Sequence, residues 1–342
     1  MTRTLTVKRA GPGITVQDLG RPGYLAGGLS RGGGADRLAL QEGAALLGQD
    51  AGTAALEMAG AGGEFEASED IRIALTGAPM RASLDGTPLA WNASHLLPRG
   101  GRLKIGGCEA GCYGYLHIGG GIGTSLQLGA RSAHLGAGIG GPVQAGDRLP
   151  IGQDTGTRGT GMRLDPAPRF EGGSLRVVAG PQTGLFSPAQ TAAFEAAAFR
   201  RDVRGNRMGV RLVSDAASLK PGDGLKVVSE VIVPGDIQIT GDGSPFVLLS
   251  ECQTIGGYPR IGSVLPADLP LVAQARPGTA FRFQFVTLEE AIEIESSECK
   301  RRQSLGTSLR PLLRDPRTMF DLLSYQLISG ATAGDDLERD RQ

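Results

Sequence analysis

The chain has 342 residues, with 35 Lys plus Arg against 35 Asp plus Glu, so its formal net charge is zero; that balance predicts neither a nucleic-acid partner nor a polybasic membrane face. Gly supplies 55 residues and Pro 20, with 40% hydrophobic residues overall, which is too apolar for disorder, lacks the period of collagen, and is turn-rich enough to predict β architecture. Four cysteines make no disulfide framework, there is no run of 18 apolar residues, and the opening MTRTLTVKRA holds no apolar stretch, so the expectation is a cytoplasmic protein without signal peptide or membrane helix.

In chain order, the first polar cluster is Thr15-Val-Gln17-Asp18-Leu-Gly20-Arg21-Pro22-Gly23-Tyr24. A strand is predicted to end at Val16, and a Gly/Pro loop then gathers Gln17, Asp18, Arg21 and Tyr24 where side chains can converge on a ligand. Gly28-Leu-Ser30-Arg-Gly32 has nucleophile-elbow spacing. It lacks the strand before and helix after that such an elbow needs, so a plain Gly loop is the better reading. Asp36 to Leu47 reads as a helix closed by Gly48. Ile71–Leu75 and Tyr113–Ile118 read as strands. Cys108, Cys112 and His117 could hold a metal, but no second ligand pair follows at zinc spacing, which favours structural thiols and no metal. Gly136-Ala-Gly138-Ile-Gly140-Gly141 contains GxGxxG but runs into Pro142 and a turn instead of a helix, against a dinucleotide site.

Residues 153–173 are rich in Gly, Thr, Pro and charge with little periodicity, as a linker should be. Beyond them Ser187-Pro188-Ala189-Gln190 places Ser, Pro and Gln at N-cap, N1 and N3 of a helix that runs on toward Phe199. The second polar cluster is Arg204-Gly-Asn206-Arg207-Met208-Gly209-Val-Arg211; a fork-shaped guanidinium beside glycine suits a carboxylate or phosphate. The third is Glu251-Cys-Gln253-Thr254-Ile-Gly256-Gly257-Tyr258-Pro259-Arg260, after the predicted strand Phe246–Ser250. Gly256 and Gly257 allow a ligand close to backbone N–H groups. From Glu290 the tail is charged, then amphipathic over Met319–Ile328.

A turn followed by an alternating strand recurs four times, at Arg99–Ile105, Ala145–Ile151, Pro221–Val227 and Pro277–Phe283. Two copies fall in each half, which suggests two related β-domains. The expected layout is a β-domain over 1–155, a linker over 156–173, a second β-domain over 174–289 and a partly helical tail over 290–342. There is no Gly-Lys dipeptide and so no P-loop, no HExxH, and no Lys next to Met as a biotin carrier would have.

The polar clusters also carry a resemblance. VQDLGRPGY (16–24), GADRLAL (34–40), ALE (55–57), LTGAP (75–79), GYLHIGGGI (114–122), NRMGVRL (206–212), VPGDIQI (233–239), QTIGGYPRIGSV (253–264) and ADLPLVAQARPG (267–278) resemble the family that unites the second subunit of allophanate hydrolase with the C component of 5-oxoprolinase. That family also contains biotin-dependent carboxyltransferases and an antagonist of a kinase inhibitor. The resemblance implies two cyclophilin-like β-barrel domains with a few short helices. It implies a partner similar to the B component of 5-oxoprolinase or the first subunit of allophanate hydrolase, and also the oxoprolinase A component. The substrate implied is a small amide or lactam, opened with ATP that is shared with those partners; no biotin is expected on this chain. The family usually has Ser-Gly-Ala-Met-Asp at Gly32–Asp36, Ser-Asp-Arg-Met-Gly at Gly205–Gly209 and Asp-Arg-Gln-Thr at Glu251–Thr254. Two alternatives stand beside the oxoprolinase reading: carboxyl transfer from carboxybiotin to urea or a related amide, and non-catalytic binding of a regulatory protein. The expected catalytic residues are Arg207 on the substrate anion, Gln253 on its amide, Tyr258 as a wall, and Asp18 from the other domain. Gln17, Arg21, Thr254, Gly256 and Gly257 are the expected binding residues. The competing account makes Arg207 a structural ion pair and Tyr258 a core residue.

Overall fold

The computed structural model describes residues 3–214, 219 and 227–313. They form a mainly β protein with four α-helices among them: α1 (Arg37–Leu47), α2 (Pro188–Ala196), α3 (Leu269–Gln274) and α4 (Leu288–Gln303). None is long and apolar enough to cross a membrane. The predicted helix at 319–328 lies outside the described residues.

Two sheets make the first half. One has Arg148–Pro150, Thr4–Ala10, Gly63–Ala67, Arg102–Cys108, Met80–Leu84 and Thr87–Leu89 in that spatial order. The other begins Ile14–Gln17, Ala55–Ala59, Tyr113–Ile118, Ile71–Gly77 and Ala93–Leu97, and continues through Met162–Arg163 to Arg310–Pro311. Alternation sends Leu5, Val7, Leu56, Met58, Phe65, Ile73, Leu75, Leu103 and Leu116 inward to one apolar core. In the second half Gly173–Val178, Arg260–Val264, Asp236–Ile239, Pro245–Leu248, Gly209–Val213, Phe199–Asn206 and Ala280–Phe285 close into a barrel. Its core includes Phe194 stacked on Phe283 with ring centroids 4.4 Å apart.

Local chemistry sets the helix ends. Asp36 caps α1 by accepting from the Ala39 N–H at 3.0 Å, and Gly48 closes it in the left-handed region. Ser187 and Gln190 make the expected capping box on α2. That helix stops at Ala196, short of Phe199, because the chain switches there to a two-residue period. Ala197 and Phe199 face the core while Ala198 faces solvent.

The segment expected to be a linker is more than a tether. Met162–Arg163 pairs with both Ala93–Leu97 and Arg310–Pro311, so the chain after α4 returns to the first half. Leu164 and Leu305 complete a small core under α1. Arg169 is buried, bound at 2.7 Å to Asp36 and through two nitrogens to Glu42. Burial, the largest influence, holds the Glu42 carboxyl above its usual range against the pull of Arg169.

Candidate functional site

A row of polar side chains crosses the second sheet on the face away from its core. Pairing places Thr15 beside Glu57, Glu57 beside Tyr115, and Tyr115 beside Thr76. All four are buried, so each must find a partner inside the protein. The Tyr115 hydroxyl donates to Glu57 at 2.6 Å and accepts from the Asp36 N–H at 2.8 Å. Burial, then the Glu57 charge, pushes the Tyr115 phenol well above its ordinary pKa. Glu57 also accepts from the Ala35 N–H at 2.7 Å.

Arg207 crosses from the barrel to meet this row. Its guanidinium donates to Glu57, to Glu251 at 2.6 Å and to the Gly33 carbonyl. Burial opposes its charge, and the two carboxylates outweigh that and hold it protonated above the ordinary range. Glu251 in turn accepts from the Leu135 N–H at 3.1 Å. All three nitrogens of the guanidinium are committed within the chain. This corrects the expectation of a free anion clamp and is the structural ion pair of the competing account.

The loop residues expected to bind substrate are mostly committed as well. Asp18 accepts from the Gly20 N–H at 2.8 Å and the Arg131 N–H at 2.7 Å. Gln17 donates to Thr15 and to the Ala133 carbonyl. Arg21 is 1% exposed and donates to the carbonyls of Ser132 and Gln127. Two turns touch here through glycine: a Cβ on Gly33 would lie 2.7 Å from the Gly20 nitrogen, and both residues have positive φ. The third cluster divides. Thr254 is buried, its carbonyl accepting from Ile232, and Gly256 pairs with Glu230 in a short ladder. Gln253, Gly257 and Tyr258 are exposed, Tyr258 by 50%. Tyr258 is therefore not a core residue, whereas Arg207 is buried.

The structure adds a pair that sequence spacing did not suggest. Ser30 Oγ lies 2.9 Å from His134 Nε2, both buried. Ser30 is the centre of the Gly28–Gly32 elbow pattern, which raises the question of a nucleophile and its base. His134 Nδ1 accepts from the Ala137 N–H at 3.2 Å, which leaves the ring proton on Nε2, donating to Ser30. Burial, the largest influence, also lowers the His134 pKa. That tautomer withdraws no proton from the serine; the pair ties two loops together. The thiols are likewise structural: Cys112 Sγ donates to the Ala275 carbonyl at 3.1 Å, and burial pushes Cys108 up to about 11.

Two recesses open beside this seam, both between α1 and α4. The smaller reaches Gly34, Pro234 and Ser250. The larger is a groove of about 650 Å³ whose charged lining is Arg31, Arg37, Arg158 and Arg302. The QDLGRPGY and GADRL stretches supply Leu19 and Arg37 to it.

The chain belongs to the carboxyltransferase domain family: the model of its subdomains A and B matches residues 27–285. It is 33% identical over 311 residues to the C component of the 5-oxoprolinase of Escherichia coli, covering 89% of this chain and 98% of that protein. It is 27% identical over 325 residues to the urea amidolyase of Saccharomyces cerevisiae, covering 88% of this chain but 18% of that protein. The solved urea amidolyase of Kluyveromyces lactis has the same fold, with a TM-score of 0.77 at 24% identity over 92% of this chain and 21% of that one.

Proposed function

We propose that this chain is the C-type component of an ATP-dependent 5-oxoprolinase and works in complex with B-like and A-like partners. The observation that carries the reading is the end-to-end match to a protein of that name, 89% of one chain against 98% of the other. A lactam is too stable to open unaided. Moving the terminal phosphoryl of ATP onto the lactam oxygen forms a P–O bond and breaks the phosphoanhydride. Water then adds to the activated carbon, the C–N bond breaks and the nitrogen leaves as the protonated amine, which leaves an acyl phosphate; a second water cleaves this to the carboxylate and free phosphate. Buried donors that meet the developing charge lower such barriers. Gln253 and Tyr258 stand free on their loop, where a partner could complete a site around them. Arg207 holds the base of that loop through Glu251. ATP is shared with the partners, since this chain has no P-loop, and biotin is not carried here.

The deciding assay measures glutamate and ADP formed from 5-oxoproline and ATP by the partner proteins, with and without this chain. Turnover is expected only in the complete mixture. Turnover by the partners alone at the same rate, or by this chain alone, overturns the reading. The match to urea amidolyase favours a second reading, carboxyl transfer. It predicts bicarbonate-dependent carboxylation of an amide once a biotinylated carboxylase is supplied.

A further inference from the structure

The groove between α1, α4 and the Leu19–Arg31 loop has the size of a small-ligand site at about 650 Å³. Arg31, Arg37, Arg158 and Arg302 line it, and no Asp or Glu among the described residues does. The whole chain is neutral, so this is a local excess of positive charge. Four other inward-facing arginines are neutralised: Arg72 by Asp154, Arg169 by Asp36 and Glu42, Arg176 by Asp268, Arg260 by Asp236. Three of the four groove arginines have no carboxylate partner among the described residues. Among the described residues Arg31 donates only to the Leu19 carbonyl at 2.9 Å, and Arg37 only to the Gly32 carbonyl at 3.3 Å. Arg158 has no side-chain hydrogen bond or carboxylate partner among the described residues. Arg302 alone reaches a carboxylate, Glu295 at 3.5 Å.

Room is kept for these side chains. A Cβ on Gly48 would come 2.8 Å from Arg158 Cγ, and one on Gly306 would come 2.7 Å from its Nη2. Gln41, also in the lining, has a buried side-chain oxygen without a partner. Burial, and then repulsion from Arg31, pushes Arg37 down to about 10, so an anion placed between them would relieve a standing electrostatic cost.

We propose that this groove binds a phosphate-bearing anion, with its oxygens gripped by Arg31, Arg37 and Arg158. Planar guanidiniums match phosphate oxygens two at a time. A nucleotide's phosphate tail and free orthophosphate share this chemistry. The inference goes beyond the oxoprolinase reading and does not depend on it. One competing role exists: Arg158 and Arg302 lie near the C-terminal ends of α1 and α4, where cations complement the helix dipole.

Titration calorimetry on the full chain with ADP, orthophosphate and malonate, at low and physiological ionic strength, tests the proposal. Saturable binding of ADP or orthophosphate is expected, with malonate weaker by about tenfold or more. ADP alone binding identifies a nucleotide; both binding identifies the phosphate group as sufficient. Arg31→Gln, at an exposed position, and Arg158→Gln, at a half-buried one, should each weaken binding by about tenfold and leave the ligand-free melting curve unchanged. Absence of saturable binding by either phosphate probe overturns the proposal. So does binding that neither variant weakens, including the case where the variants only lower the melting temperature, as a helix-end role predicts. Turnover of 5-oxoproline by the complex, with neither probe binding this chain, would leave the catalytic reading standing and remove this one.

Discussion

Arg207 shows at the scale of one residue how a charge can look like a ligand clamp in sequence and serve as a structural bolt. Its neighbours Asn206, Met208 and Gly209 said nothing of Glu57 and Glu251, which lie 150 and 44 positions away. Removing it leaves two buried carboxylates facing each other without a cation. Arg207→Ala should therefore cost about 3–5 kcal/mol of stability, read as a lower denaturant midpoint. Loss of activity with an unchanged midpoint would instead restore a direct catalytic role. His117 makes a second prediction. Burial pushes it down to about 3, while the unfolded chain takes up a proton near the ordinary value of about 6.5. The unfolded state thus binds more protons between those two values. This share of stability is complete above the upper one and is lost as pH falls toward the lower, at up to about 1.4 kcal/mol per pH unit. Denaturant melts of His117→Gln should lose that part of the slope between roughly pH 6 and 4; parallel curves for both proteins would refute it.

At the scale of elements, α1 carries a prediction that runs against helix propensity. Ala in place of a mid-helix Gly ordinarily gains about 1 kcal/mol. At Gly43 a Cβ would lie 2.2 Å from the His117 ring, where α1 packs on the sheet. Gly43→Ala should destabilise by about 1–3 kcal/mol through overpacking, and a raised melting temperature would show that the ring can yield. The close of α1 at Gly48 and the start of α2 at Ser187 and Gln190 were legible in sequence, because a cap is chemistry among neighbours. The end of α2 was not, since Ala197-Ala198-Phe199 suits a helix until Phe199 enters a strand and meets Phe283 on the neighbouring one. The segment around Met162 and Arg169 read as a linker for the same reason. Its Gly and Pro content is local, whereas its strand partner at Arg310 and its ion partners at Asp36 and Glu42 are remote. For the candidate site, the motif positions were legible and their directions were not: Gln253 and Tyr258 face out while Thr254 and Arg207 face in.

Across the whole molecule, the two halves meet through charge and amide groups more than through a shared apolar core. Gln274 on α3 is fully buried and accepts from the N–H groups of Cys112 and Tyr113 while donating to Asp36 and the Tyr113 carbonyl. The seam sets four carboxylates, Asp36, Glu42, Glu57 and Glu251, against two guanidiniums, Arg169 and Arg207. Three of those acids precede both of the arginines in the chain. On the ribosome, the first half emerges lacking only the strands Met162–Arg163 and Arg310–Pro311, with three carboxylates whose arginine partners in the seam are not yet made. Sealing α1 against its sheet at that moment would bury them alone, at several kcal/mol each. A nascent first half is therefore expected to leave α1 unsealed until residue 169, and then residue 207, has left the tunnel; chains arrested before and after those lengths should differ in protease resistance, and equal resistance would refute this.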